Sequence, residues 1–497
     1  MSDDRLSTLV SLPPLQALTR GLIPGDIVID GQFRPAGGAA RFAVENPADG
    51  QEIGQVADGS VADGLAAMDA AASAAAGWAA RSPRARSDIL RRCFELMALH
   101  EAWFAELVSL ENGKILSDAL GEVRYAAEFF RWNAEEAVRI PGEIGVSPNG
   151  GYSIVVGHQP VGVSILVTPW NFPAAMVTRK VAPALAAGCT CVLKPAAETP
   201  FTALALAVLM EAAGVPPGVV NIVPTTRPGP VVDAMMHHAA ARMLSFTGST
   251  GVGRKLLKGA ADQVLKSSME LGGNAPFIVL ADADLDQAVA GAMVAKMRNG
   301  GQACTAANRF IVHQRLYEPF CTRITAAMEA LRVGPGTDPL SECGPLIHAG
   351  AVDKVDALVQ DALSKGARLR TGGVRPNRVG AFYPPTVLVD VPRNARLLRE
   401  EIFGPVVAVM SCQSDDEAIA LANDTEFGLV AYLFTADKGR GMRIAPRIES
   451  GMLALNRGLV SDPAAPFGGV KQSGLGREGG QHGILEFLET RYVATTF

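Results

Sequence analysis

The 497-residue chain reads as an α/β protein built on a doubly wound parallel sheet, with a second α/β unit and a small arm. Three observations lead there. Apolar, strand-length runs alternate with helical stretches from about residue 161 to 260. A glycine-rich loop, Phe246-Thr247-Gly248-Ser249-Thr250-Gly251-Val252-Gly253, ends one such run and opens a helix. Hydrophobic residues make up 48% of a chain too long for one ordinary core, so two or three domains are expected.

The elements follow in order. Residues 65–80 are alanine-rich and include Asp69, which predicts a helix too polar to span a membrane. Residues 84–113 predict one or two helices. Ile89, Cys93, Leu96 and Met97 fall at helical spacing, and Asn112-Gly113 supplies a stop. Near 140 the texture changes. Pro141-Gly142, Asn149-Gly150-Gly151 and the alternation through 152–156 predict an extended hairpin or arm. Strands are then expected at 161–167, 190–193, 219–223 and 243–247. Helices are expected at 174–187, 202–213 and 230–238, and from Gly251 onward. A second unit begins near Gly272-Gly273, with a strand at 277–280 and a helix capped by Asp284 or a neighbouring acid. Cys304 falls between that helix and a strand at 310–312. Alternation resumes over 315–440, and the chain closes on a short helix and a strand.

Composition excludes some partners. A net charge of −5 and a pI near 5.9 give no basic field for nucleic acid or an anionic membrane. The opening Met1-Ser2-Asp3-Asp4 is acidic where a secretory leader is basic. Seven scattered cysteines make no disulfide framework, so a reducing, cytoplasmic setting is expected. Cys189 and Cys191 read as small core residues, with no metal-ligand spacing around them.

Two segments carry chemistry. Cys304 lies in Arg298-Asn299-Gly300-Gly301-Gln302-Ala303-Cys304, among glycines and amides where a cysteine is seldom found. Glu270 lies in Met269-Glu270-Leu271-Gly272-Gly273-Asn274. A thiol and a carboxylate, each beside a Gly-Gly pair, suggest covalent catalysis with a water-activating base. The loop at 246–253 suits a pyrophosphate, because glycine lets backbone N–H groups approach and a helix N-terminus favours anions. It departs from the usual G-x-G-x-x-G, since Leu256 replaces the third glycine.

These segments, with Thr168-Pro169-Trp170-Asn171-Phe172-Pro173 and Glu400-Glu401-Ile402-Phe403-Gly404-Pro405, together resemble the aldehyde dehydrogenase superfamily, in family order. Residues 175–181, 296–299 and 466–478 are similar to its succinate-semialdehyde dehydrogenases. The resemblance implies a Rossmann-type cofactor domain over 1–140 and 160–271, and a catalytic domain over 272–481. It implies an oligomerisation arm over 141–159 and 482–497, giving a homodimer or homotetramer. Cys304 is then the nucleophile, Glu270 the base and Asn171 the oxyanion donor. Thr168, Pro169, Trp170, Lys194, Ala197, Glu198, Gly248, Ser249, Gly253, Leu271, Glu401 and Phe403 would bind NADP or NAD. Ala197 replaces the acid typical of NAD-preferring members, which tilts the expectation to NADP, although Glu198 stands next door. Arg179, Arg298 and Ser461 match carboxylate-binding positions, so the implied substrate is succinate semialdehyde. Glutarate semialdehyde is the alternative, one methylene longer. A broader aldehyde range and a non-catalytic role are the others. For the two arginines, structural ion pairing remains the competing reading. Arg457 adds a positive charge whose direction decides its relevance, and Ala306 excludes a disulfide with Cys304 across that loop.

Overall fold

The computed structural model describes residues 2–496, so Met1 and Phe497 lie outside the described residues. The predicted alternation is present. Val163–Val167, Cys191–Lys194, Val220–Ile222 and Ala241–Thr247 are strands, separated by the helices Pro173–Ala187, Pro200–Ala213 and Pro228–Met236. These strands, with Lys266–Glu270, form the parallel centre of an eight-stranded sheet. Val163–Val167 is buried along its whole length, as expected for a strand covered on both faces. Every residue of Pro173–Ala187 is buried too. The sheet's edges are antiparallel. Ile27–Ile29 pairs with Gln32–Arg34 on one side, and Gly474–Leu475 pairs with Lys266–Glu270 on the other.

A seven-stranded sheet follows in the order Arg368–Thr371, Thr386–Val389, Val406–Cys412, Ala307–His313, Ala275–Val279, Val430–Phe434, Met452–Leu455. All its pairs are parallel except the first. Phe277 anchors one face, with ring centroids 5.1 Å from Phe310 and 4.8 Å from Phe434. Each such pair adds about 0.5–1.5 kcal/mol beyond burial. Tyr432 joins this cluster, and its hydroxyl donates to the Thr305 carbonyl at 2.8 Å. The core thereby fixes the residue after Cys304.

The hairpin expected near 141–158 is present as Glu143–Val146 and Ser153–Pro160. The terminal strand Leu488–Thr495 pairs antiparallel with Ser153–Pro160 over its full length. Ile144, Val146, Tyr492 and Val493 are exposed on this sheet. The helix around 65–80 spans Val61–Ala79, and Ser60 and Asp63 form a capping box at its start. The 21-residue helix Leu116–Glu136 and the hairpin Arg41–Glu45/Glu52–Ala57 had no counterpart in the sequence reading. Among the described residues no helix is long and apolar enough to cross a membrane.

Candidate active site

Cys304 sits in the turn between the 3-10 segment Arg298–Gly301 and the strand Ala307–His313. Asn299, Gly300 and Gly301 all have positive φ, at 54°, 58° and 79°. Asn and Gly tolerate that region, which explains why they precede the cysteine. The Gln302 side chain accepts the Ile347 N–H at 2.9 Å, and Asp118 accepts the Asn299 N–H at 2.7 Å. Gly273 passes so close that a Cβ there would meet the Cys304 carbonyl at 2.6 Å. Burial pushes the Cys304 thiol up to about 12. The positive charges of Arg179 and Arg298 pull it down, while Glu270 and Glu401 push it up. At neutral pH the group is a thiol, so the nucleophile must first lose a proton.

Glu270 is the last residue of Lys266–Glu270. It is buried, and neither carboxylate oxygen has a hydrogen-bond partner among the described residues. Burial, reinforced by the nearby charge of Glu478, lifts it well above the ordinary carboxylate range. Arg179 and Lys180 oppose that shift. A carboxyl with a raised pKa and no fixed partner is suited to carrying protons.

The Asn171 Nδ2 donates to the Gln302 carbonyl at 3.1 Å, and its Oδ1 is buried without a partner. Asn171 and Cys304 both line a cavity of ≈ 290 Å³. Pro169, Trp170, Gly248, Ser249, Leu271, Glu401 and Phe403, all expected to bind the coenzyme, also line it. Ser249 caps the helix Thr250–Asp262, so that helix begins at the cavity wall. Gly253 is not on the wall. A Cβ there would lie 2.4 Å from Leu271, so its smallness lets Leu271 pack against the helix. Glu401 accepts the Gly273 N–H at 3.1 Å, and burial raises its carboxyl to about 7. Phe403 has φ 58° and meets Trp170 edge-on at 5.5 Å. An anion-binding helix start, an acid and an aromatic pair around one cavity fit a nicotinamide dinucleotide.

Some expected residues stand apart from this cavity. Thr168 is buried behind its wall, with its N–H donating to the Lys194 carbonyl at 3.2 Å. Lys194 ends its strand opposite Val167, and burial lowers its amine to about 8. Ala197 and Glu198 occupy the loop that follows. Lys194, Ala197 and Glu198 are off the wall. In their place, His348, Gly350, Ala351 and Lys354 contribute from the start of the helix Ala349–Ser364. Nothing local in the sequence links that helix to Cys304.

The three carboxylate-binding candidates divide. Arg298 donates to the Ser461 hydroxyl at 3.4 Å, stacks on Phe172 at 4.7 Å, and has no ion pair among the described residues. Arg179 is buried and ion-paired with Glu478, which also pairs with Lys180. For Arg179 the structure therefore shows the ion-pair alternative. Its charge still acts on Cys304, as that of Arg298 does. Arg457 is exposed and, with Ser461, lines a hollow of ≈ 420 Å³ that shares no lining residue with the Cys304 cavity. Sequence reasoning missed Glu478 as a partner, because 298 positions separate it from Lys180.

Residues 33–493 match the Aldehyde dehydrogenase family profile. A succinate-semialdehyde dehydrogenase of Paenarthrobacter nicotinovorans is 53% identical over 83% of this chain and 91% of its own length. An NADP(+) succinate-semialdehyde dehydrogenase of Escherichia coli K12 is 47% identical over 94% and 96%. The crystal structure of a succinate-semialdehyde dehydrogenase from Burkholderia pseudomallei superposes with a TM-score of 0.94, at 47% identity, covering 95% of this chain and 98% of that one. With Cys304 and Asn171 on the wall of one cavity and Glu270 next to its lining residue Leu271, the chain belongs to the aldehyde dehydrogenase family.

Proposed function

We propose that this enzyme oxidises succinate semialdehyde to succinate with NADP or NAD. The observation that carries the reading is Arg298. Its guanidinium is held by Ser461, acts on Cys304 and has no carboxylate of its own among the described residues. A carboxylate at the far end of the substrate would complete it, and a guanidinium fork suits that geometry.

The chain's own groups then have these roles. Glu270 takes the Cys304 proton, and the thiolate attacks the aldehyde carbon to give a thiohemiacetal. The Asn171 Nδ2 and the Cys304 N–H hold the oxyanion, where losing one donor costs about 10²–10³ in rate. A nicotinamide coenzyme held there would supply the hydride acceptor. A thioester is left on Cys304, and Glu270, after passing the Cys304 proton to solvent, activates the water that hydrolyses it. Glu401 and Phe403 would hold the nicotinamide half of the coenzyme, and Gly248 and Ser249 its pyrophosphate. NADP is favoured because Ala197 offers no carboxylate to repel a 2′-phosphate and Lys194 stands nearby. The name of the E. coli relative is consistent with that preference.

The eight-stranded unit, residues 1–140 and 160–271, would be the coenzyme domain, and 272–481 the catalytic domain. The exposed apolar residues of 141–159 and 482–497 would join subunits. Seven unpaired cysteines suit a cytoplasmic setting.

The test is a panel of succinate semialdehyde, glutarate semialdehyde and an uncharged aldehyde, each with NAD and with NADP. The highest kcat/KM is expected for succinate semialdehyde with NADP. Failure to oxidise any semialdehyde with either coenzyme sinks the proposal. Arg298→Leu should raise KM for semialdehydes far more than for the uncharged aldehyde. Equal effects on both would reject the carboxylate role.

A further inference from the structure

We propose that Lys114 is a positioning residue for the oxyanion donor, holding Asn171 in place against the Cys304 loop; this rests on the reading of Asn171 as that donor. Lys114 lies in the turn between the helices Glu101–Asn112 and Leu116–Glu136, and its side chain is fully buried. A buried ammonium is costly unless it is paired and hydrogen-bonded. Lys114 is both. It forms a close ion pair with Glu122, donates to the Asn171 carbonyl at 2.7 Å, and sits 4.0 Å from the centre of the Phe172 ring.

Glu122 extends the grip. Its second oxygen accepts the N–H groups of Ala174 at 2.8 Å and Ala175 at 3.2 Å, in the first turn of Pro173–Ala187. One ion pair thus holds the carbonyl of residue 171, the ring of residue 172 and the start of the helix beyond. These contacts hold the backbone from Asn171 into the helix, and with it the direction in which the Asn171 side chain leaves the chain. The Cys304 loop is tied to the same place. Asn299 donates to the Asn171 carbonyl at 2.8 Å, and its own N–H is accepted by Asp118, on the same helix as Glu122. Arg298 covers Phe172 at 4.7 Å. Replacing a buried ion pair by apolar residues is often neutral or stabilising, so stability alone does not account for this one. Placement of Asn171 does.

Lys114→Met leaves Glu122 unpaired, so Lys114→Met/Glu122→Gln is made beside it. Glutamine can still accept the Ala174 N–H. In the variant that circular dichroism shows to be folded, kcat should fall about 10- to 100-fold, because small displacements of catalytic groups cost that much. KM for aldehyde should change little, and charged and uncharged aldehydes should be affected alike, since both form the oxyanion. Lys114→Arg, which keeps the charge and a donor, should recover part of the rate. In an Asn171→Ala background the Lys114 change should cost nothing further. An unchanged kcat, or the same loss repeated without Asn171, overturns the proposal. A full kcat for Asn171→Ala alone would instead overturn the assignment of Asn171 as donor.

Discussion

Burial raises the pKa of both Cys304 and Glu270, and a small group of nearby ions adjusts it. Glu270 must be a carboxylate to act as a base, so activity falls as pH drops through its raised pKa. The acid limb of kcat should therefore lie above the ordinary carboxylate range. Glu478→Gln removes a charge that raises Glu270 and frees Arg179 and Lys180, which lower it. All three changes act in one direction, so the limb of the kcat–pH profile should move to lower pH. A limb that stays in place would refute the assignment of Glu270 as base. The same substitution leaves two buried cations without a carboxylate partner and should lower the melting temperature, at a cost of about 3–5 kcal/mol. Glu401 offers a second titration. Burial places it at about 7, against the Gly273 N–H and the charges of Lys354 and Lys296. Below that pH it gains a proton and loses its capacity as a charged acceptor. KM for the coenzyme should rise as pH falls through about 7, and Glu401→Gln should abolish that dependence. At this scale the sequence was a good guide to residue types and a poor one to pairings. Cys304, Glu270 and Asn171 could be singled out as candidates because motifs carry them. The Arg179–Glu478 contact was not, because nothing in either segment encodes the other.

The elements put these residues within reach of one another. Glu270 ends a strand of one sheet, and Gly272-Gly273 leads into the strand Ala275–Val279 of the next. Gly273→Ala would place a Cβ 2.6 Å from the Cys304 carbonyl, so the loop must shift. We expect kcat to fall by about 10²-fold, from a displacement near 1 Å, with the far-ultraviolet circular dichroism unchanged. A normal kcat would show that the loop yields without consequence. The parallel strands were readable because burial on both faces requires continuous apolar runs. Gly474–Leu475 was not, since a two-residue edge strand has no periodicity and its partner lies some two hundred positions earlier. Leu116–Glu136 was also missed. It buries Glu122 and Glu136 along with its apolar residues, which blurs the hydrophobic pattern of a helix.

The whole molecule presents a three-stranded arm with exposed apolar side chains, the proposed element of assembly. Ile144→Asp combined with Val146→Asp should shift the enzyme to a smaller species in sedimentation. An unchanged mass would reject the arm as the assembly element. By itself the sequence determined the fold class and the alternation of the central strands and helices, and it singled out Cys304, Glu270 and Asn171 as the candidates for nucleophile, base and oxyanion donor. All of these depend on local periodicity or on contiguous motifs. Tertiary structure alone decided that Arg298 has no ion pair among the described residues while Arg179 is bound by Glu478. It also decided that Gly253 serves packing rather than the cavity wall, and that Lys114 reaches the Asn171 carbonyl. Those outcomes depend on which buried charges and backbone groups meet across the fold, and desolvation then requires each to find a partner that no nearby residue supplies.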